Sequence, residues 1–162
     1  MFAQLDTKSV YSFMDSVVDL NSYVARAKEL GYQSLGLMDR DNLYAAYHFA
    51  QLASGNGLRP LIGMEANLFY EGRKIPFRLL AKNNQGYKNL MKLATELSSG
   101  QREFTAFSDY LNAIALILPS EDWEPGMTLG SEVFIGVRPE DAGKEFDYPV
   151  VPLHTVRYFE NA

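Results

Sequence analysis

The first half of the chain alternates between two patterns of apolar positions. The opening stretch 2–9 and the runs 34–38 and 61–65 are short, partly apolar segments of strand length that end in polar residues. Between them, apolar residues repeat every three or four positions over 20–30 and 43–50, which is the period of an amphipathic helix. The pattern predicts the order strand, helix, strand, helix, strand. This order favours parallel strands joined by right-handed crossovers.

Capping residues indicate where these helices begin and end. Asp19 is placed to cap the first helix and Gly31 to end it. A polar loop at 39–41 follows the second strand, and Asp41 or Asn42 is the predicted cap of the second helix. That helix is predicted to end at the segment 55–57, which contains two glycines.

The second half begins with a hairpin-like pattern. Two strand-like arms at 66–70 and 75–81 flank a polar turn, and Pro76 is expected to place the second arm at a sheet edge or at a strand start. A third helix is predicted over 85–98, with Asn83 or Asn84 as its cap. The remaining predicted elements are a short helix at 104–111, strands at 113–118, 133–137 and 150–153, and a loop at 120–130.

Composition narrows the function classes. The chain has 162 residues, with 15 Lys and Arg against 20 Asp and Glu, a net charge of −5, and no basic stripe. Unaided binding to DNA phosphates is therefore disfavoured. The absence of cysteine excludes disulfides and thiolate zinc sites, and it fits a cytoplasmic setting. No signal segment or apolar run of about 20 residues is present, so we expect one domain over 1–162 and no membrane contact.

Polar residues at the strand ends mark a candidate site. Strand ends in α/β folds meet on one face, and here they carry Asp6, Lys8, Asp39, Arg40 and Glu65. The carboxylates, with Asp41, could bind a metal cluster. The favoured interpretation is that they cap helices and pair with the neighbouring bases.

Several motifs in a fixed order carry a family resemblance. They are FAQLDTKSVYS (2–12), ARAKELG (25–31), LMD (37–39), DNLY (41–44), PLIGME (60–65) and LLAKNNQGYKNL (79–90). Taken together they resemble the PHP (polymerase and histidinol phosphatase) domain. More narrowly, they are similar to the N-terminal PHP domain of bacterial DNA polymerase III alpha subunits of the low-GC Gram-positive type. The resemblance covers nearly the whole chain. It implies an α/β fold, a distorted β/α barrel of the PHP type that is incomplete at its C-terminus, excised from a much longer polymerase.

The resemblance also implies where metal ligands would lie. Active members bind two or three metal ions through His-x-His, Thr-Asp-His, Glu and Asp-x-His motifs at the strand ends. In this chain those family positions are Asp6, Lys8, Asp39, Arg40, Glu65, Thr155 and Arg157. Lysine and arginine are poor ligands because their nitrogens stay protonated. We therefore expect a vestigial site without metal, cofactor or catalytic residue, in which Lys8, Arg40 and Arg157 form salt bridges with Asp6, Asp39 and Glu65.

The two histidines and three lysines of the chain have ordinary alternatives. His48 is interpreted as a partly buried packing residue of the second helix, and His154 as a weak candidate ligand beside the site. Lys82, Lys88 and Lys92 could face DNA or a partner, although a solvated helix face explains them better.

The resemblance implies a role in DNA replication. The parent protein would be a DNA-directed DNA polymerase, a nucleotidyltransferase, in which this domain is structural and serves for docking. Its partners would be the remainder of the alpha subunit and possible replisome proteins, with DNA contacted only through the full-length polymerase. The alternative is a metal-dependent phosphoesterase or 3′ to 5′ exonuclease, and a third hypothesis is a stand-alone regulatory binding protein.

Overall fold

The computed structural model describes residues 3–130 and 132–157. The helices within these ranges are α1 (Leu20–Glu29), α2 (Ala46–Gly55) and α3 (Asn84–Ser98), with short 3₁₀ helices at Phe104–Tyr110, Ser120–Asp122 and Pro139–Asp141. The strands are β1 (Ala3–Gln4), β2 (Asp6–Thr7), β3 (Ser34–Arg40), β4 (Arg59–Tyr70), β5 (Arg73–Ala81), β6 (Ile114–Pro119), β7 (Val133–Val137), β8 (Val150–Pro152) and β9 (Thr155–Val156).

Seven strands form one mixed sheet in the order β1-β3-β4-β5-β6-β7-β8. β1, β3 and β4 are parallel, as predicted, and β5 is antiparallel to both β4 and β6. β2 and β9 form a separate parallel pair. Since β2 follows the edge strand β1 and β9 follows the opposite edge strand β8, this pair links the two edges of the curled sheet. The arrangement is that of a distorted β/α barrel.

Helix starts follow the capping residues in two cases of three. The Asp19 carboxylate accepts a hydrogen bond from Ser22 N at 3.0 Å, and Asn83 Oδ1 accepts from the first turn of α3. For α2 the predicted cap is wrong, because the helix begins at Ala46 with no side-chain cap. Asp41 and Asn42 bond to other backbone groups instead. The Asp41 side chain accepts a hydrogen bond from Asn67 N, and the Asn42 side chain accepts one from Tyr44 N in the turn before the helix.

Two predictions about strands are also corrected, namely the end of β3 and the position of β5 in the sheet. β3 continues through Asp39 and Arg40, which were expected in a loop, because its pairing with β4 extends as far as Arg40 opposite Glu65. β5 lies inside the sheet and not at its edge. Pro76 is tolerated there because β6 pairs with β5 only from Arg78 onward, so no neighbouring strand needs an N–H from Pro76 on that side.

The core lies on both faces of the sheet. One apolar cluster packs β4, β5 and β6 against α3, and a second packs β3 against α1 and α2. A small third cluster of Met38, Ile117 and Leu153 fills the concave side. Gly36 is required at its position, because a Cβ there would lie 2.3 Å from the carbonyl oxygen of Leu5. That close approach keeps β1 and the start of β2 tight against β3, below the candidate site.

Candidate functional site

Charged residues of β2, β4, β5 and the segment after β2 meet at one place on the sheet. Asp6 lies in β2, Glu65 in β4 and Arg78 in β5, while Lys8 follows β2 directly. Asp6, Lys8, Glu65 and Arg78 are all buried, although each carries an ionisable group. Buried charges are tolerated when they are paired and hydrogen-bonded.

Asp6 is one of two buried carboxylates at this place, and it has three bonding partners. Its Oδ1 accepts a hydrogen bond from Lys8 Nζ at 2.6 Å. Its Oδ2 accepts from Arg78 Nε at 3.0 Å and from Thr155 Oγ1 at 2.6 Å. Thr155 belongs to β9 and is the register partner of Asp6 in β2, so this side-chain hydrogen bond reinforces the pairing of the two strands.

Glu65 is held from three sides. Its Oε2 lies 3.0 Å from Lys8 Nζ and 3.3 Å from Arg78 Nη2. Its Oε1 accepts from Arg40 Nε at 3.0 Å. Lys8 and Arg78 therefore each bridge the same two carboxylates, Asp6 and Glu65, and two negative charges are matched by two positive charges in the protein interior. We call these four residues the buried ion network.

The network lowers the pKa of both carboxyl groups. Burial alone acts to raise the pKa of Asp6, but the nearby charges of Lys8 and Arg78 and the hydrogen bonds from Lys8 and Thr155 outweigh it. The pKa of Glu65 is lowered in the same way, against burial, by Lys8 and Arg78 and by the Arg40 hydrogen bond. Both groups are therefore held as carboxylates.

Asp39 lies close by but outside the ion network. Its Oδ1 accepts from Ser9 N and Ser12 Oγ, and its Oδ2 accepts from Ser9 Oγ, all at 2.7 Å. Asp39 thus anchors the loop after β2, and within residues 3–130 and 132–157 it forms no salt bridge with Lys8, Arg40 or Arg157. The prediction of a salt-bridged network is confirmed for Asp6 and Glu65 with Lys8 and Arg40, but it is wrong for Asp39.

Arg40 and Arg157 converge on a residue that the sequence analysis did not single out. Arg40 Nη2 lies 2.8 Å from Asp15 Oδ2, and Arg157 Nε lies 3.3 Å from Asp15 Oδ1. Both arginines border a cavity of about 830 Å³ that also exposes parts of Glu65 and Arg78. Arg157 is therefore at the rim of the site and does not enter the buried ion network.

Arg78 was also missed, although the sequence contains the signal. Glu71 and Gly72 both have positive φ, at 51° and 78°, as a two-residue hairpin turn of type I′ requires. Counting outward from this turn pairs Tyr70 with Arg73 and, five residues further, Glu65 with Arg78. Register counting would have placed Arg78 opposite Glu65.

The histidines lie apart from the ion network. His48 is exposed on α2, which corrects the expectation of a partly buried packing residue. His154 is exposed at the cavity rim, and its backbone carbonyl accepts from the Gln4 side chain. Lys82 pairs with Glu132, while Lys88 and Lys92 are exposed on α3.

The donor set does not fit a metal cluster. Within 3–130 and 132–157, no three His, Cys, Asp or Glu side chains come together as a group that could hold a metal ion. The Lys8 ammonium group lies within 3.0 Å of both Asp6 and Glu65, where a divalent cation would have to bind, and Asp39 is directed to Ser9 and Ser12. A metal would add positive charge to carboxylates that are already neutralised.

The sequence model of the PHP domain matches residues 4–124, so the chain belongs to the PHP domain family.

Within that family, the chain is similar to bacterial replicative polymerases. It is 45% identical over 161 residues to DNA polymerase III subunit alpha of Streptococcus pyogenes serotype M1, covering 98% of this chain and 16% of the relative. It is 34% identical over 126 residues to DNA polymerase III subunit alpha of Bacillus subtilis (strain 168), covering 74% of this chain and 11% of the relative. The chain thus spans less than a fifth of the length of these curated relatives.

A solved structure supports the fold. An amidohydrolase from Chromobacterium violaceum, described with bound SO4 and no metal, aligns with a TM-score of 0.50 at 18% identity, covering 60% of this chain and 34% of that chain.

None of the helices among the described residues is both long enough and apolar enough to cross a bilayer.

Proposed function

We propose that this chain serves as the PHP domain of a DNA polymerase III alpha subunit, in which it is a structural and docking module without phosphoesterase activity. The observation that carries the proposal is the position of Lys8. Its ammonium group lies 2.6 Å from Asp6 and 3.0 Å from Glu65, two positions at which metal-binding family members have ligands. Relatives at up to 45% identity carry the name of the polymerase subunit.

The charge balance supports a structural role for the network. Clustered carboxylates repel one another unless a cation lies between them. In this chain Lys8 and Arg78 supply that charge through fixed side chains, and each joins β2 to the sheet. The network therefore holds β2 to β4 and β5, as a metal cluster bound to the same carboxylates would. Unlike a metal cluster, it provides no metal-activated water for hydrolysis.

The role in a polymerase defines the partners. The remainder of the alpha subunit is the first partner, DNA is reached through the full-length polymerase, and the location is the cytoplasm. The reading frame that encodes the chain provides a direct test, because it should continue into polymerase sequence.

The absence of hydrolytic activity is tested with the purified chain. Mn²⁺ or Zn²⁺ is added, and release of the 3′-terminal nucleotide from a labelled DNA primer is measured together with hydrolysis of an activated phosphodiester. We expect rates equal to those without enzyme, and no rise in the thermal unfolding midpoint, since a ligand stabilises only when it binds the folded state. Metal-dependent hydrolysis that disappears in Asp39→Ala, Glu65→Ala would overturn the proposal in favour of the phosphoesterase alternative.

A further inference from the structure

The loop after β2 buries polar side chains and exposes apolar ones. In residues 9–18, which we call the 9–18 loop, the polar side chains of Ser9, Ser12 and Asp15 turn inward and bond to the site. Five apolar side chains of the same loop turn outward, whereas Val18 at its end is buried in the core. The most exposed are Met14 at 94%, Phe13 at 86% and Val17 at 76%, and Val10 and Tyr11 are each about half exposed.

These apolar side chains are exposed although the loop is held in place by hydrogen bonds and ion pairs. Ser9 and Ser12 bind the Asp39 carboxylate, and Asp15 binds Arg40 and Arg157. The backbone is bonded as well: Val10 N donates to Val18 O, and Asp15 N donates to Ser12 O. Met14 has a φ of 60°, a left-handed conformation that a residue with a side chain rarely adopts. A conformation of this kind persists when its surroundings determine it.

An ordered, solvent-facing apolar loop is typical of an interaction surface. Soluble proteins seldom present several large apolar side chains together, and aromatic residues and Met are enriched at protein interfaces. A preformed loop loses little conformational entropy on binding. The 9–18 loop contains one Asp residue, Asp15, and no Lys or Arg, so its chemistry favours an apolar protein surface over nucleic acid.

The position of Arg157 indicates which protein covers the loop. Its backbone carbonyl accepts hydrogen bonds from Val17 N at 3.1 Å and from Ser16 Oγ at 2.9 Å. Arg157, the last residue that the structure describes, therefore lies beside the 9–18 loop. The chain matches 16% of the Streptococcus pyogenes subunit, and most of that polymerase lies outside the match.

We propose that the exposed apolar side chains of the 9–18 loop are the surface on which the polymerase part of the same alpha subunit docks. The inference rests on the proposed function and adds the surface to it. Asp39, Arg40 and Arg157, which stand at family ligand positions, then have a second role. Their contacts with Ser9, Ser12 and Asp15 fix the conformation of the loop. Phe13 and Met14, the two most exposed side chains of the loop, are buried by this contact in the proposal.

Oxidative footprinting tests the inference in the intact protein. The 162-residue chain and the polymerase chain that carries it are exposed to hydroxyl radicals, and methionine oxidation is quantified by mass spectrometry. Oxidation follows exposure, so Met14 should be oxidised about tenfold less in the polymerase chain, while Met91, which is 43% exposed on α3, should change less than about twofold. Equal oxidation of Met14 in both proteins would overturn the inference. So would protection that requires added DNA, or protection in the 162-residue chain that grows with its concentration.

A pair of variants provides an independent readout. Phe13→Ser, Val17→Ser removes apolar surface that is exposed in the isolated domain, so its unfolding midpoint should stay unchanged. In the polymerase chain the same variant should increase proteolytic cleavage between this domain and the remainder. Tyr47→Ser, at a side chain that is 71% exposed on α2, is the matched control and should change neither. Unaltered cleavage of the double variant contradicts the docking surface. A reading frame without polymerase sequence contradicts the proposed function itself, and the inference falls with it.

Discussion

Lys8 Nζ lies 3.0 Å from Glu65 Oε2, and both side chains are removed from solvent. The two residues belong to segments that are not hydrogen-bonded neighbours in the sheet, because β3 lies between β1 and β4. The ion pair therefore joins the N-terminal edge of the sheet to its centre. Arg78 makes the corresponding link from β5 to Asp6 at 3.0 Å. β2 is thus joined to the central strands by charge, whereas the faces of the sheet are held by apolar packing.

Removing the Lys8 charge should destabilise the domain strongly. Lys8→Met keeps most of the side-chain volume but leaves Asp6 and Glu65 short of a cation in the interior. Breaking a buried pair by removing one partner costs about 3 to 5 kcal/mol in the free energy of unfolding. The matched control is Lys82→Met, whose partner Glu132 is 48% exposed, with an expected loss of about 0 to 1 kcal/mol. Urea denaturation measures both, and equal losses would contradict a structural role for the network.

Acid should weaken the wild-type domain through the same carboxylates. The ordinary pKa values of 3.8 for Asp6 and 4.5 for Glu65 are lowered in the folded protein. Each group therefore contributes stability that is present above its ordinary pKa and is lost as the pH falls toward the lower folded value. In Lys8→Met a main cause of the lowered pKa values is gone, so acid should remove less stability from this variant than from the wild type. The difference in unfolding free energy between the wild type and Lys8→Met should therefore narrow from pH 7 to pH 4. A gap that is independent of pH would show that the carboxylates do not respond to Lys8.

The sequence grouped Asp6, Lys8 and Glu65 by the rule that the ends of parallel strands converge, and the structure does bring these three residues together. The rule is wrong for the position of Glu65, because the predicted strand 61–65 and the predicted arm 66–70 form one strand, β4, and Glu65 lies within it. The loop position expected for Asp39 and Arg40 was wrong because the local polarity of the segment hid the strand pairing that continues to Glu65.

Contacts between distant segments set the limit of sequence reasoning. Asp41 is a good helix cap by type, yet it binds Asn67 N and Arg102, which lie 26 and 61 residues away. The inward serines of the 9–18 loop were also not predicted. Their function depends on the Asp39 carboxylate, about 30 residues along the chain, and no local pattern distinguishes an anchored serine from a solvated one.

The two arginines at Asp15 should differ in their contribution to stability. Arg40→Ala leaves the buried Glu65 with one contact fewer and should lower the free energy of unfolding by about 1 to 3 kcal/mol. Arg157 is 44% exposed and reaches Asp15 at 3.3 Å, so Arg157→Ala should lower it by about 0 to 1 kcal/mol. Chemical denaturation ranks them. The reverse order would mean that Arg157 carries the interaction with Asp15 and that the Arg40 contact to Glu65 adds little.

Asp39→Asn should loosen the 9–18 loop while the rest of the fold stays intact. The carboxylate accepts three hydrogen bonds from Ser9 and Ser12, and an amide presents one oxygen and a donor group that cannot accept. Amide hydrogen exchange of the loop, including Val17 N, should accelerate, because protection follows local opening. The matched control is Asp19→Asn, which also removes a carboxylate bonded to a serine but leaves a residue that caps helices equally well. Exchange in α3 should be unchanged in both variants. Unchanged exchange in the loop of Asp39→Asn would mean that the backbone bonds of residues 9–18 hold the apolar side chains outward without Asp39.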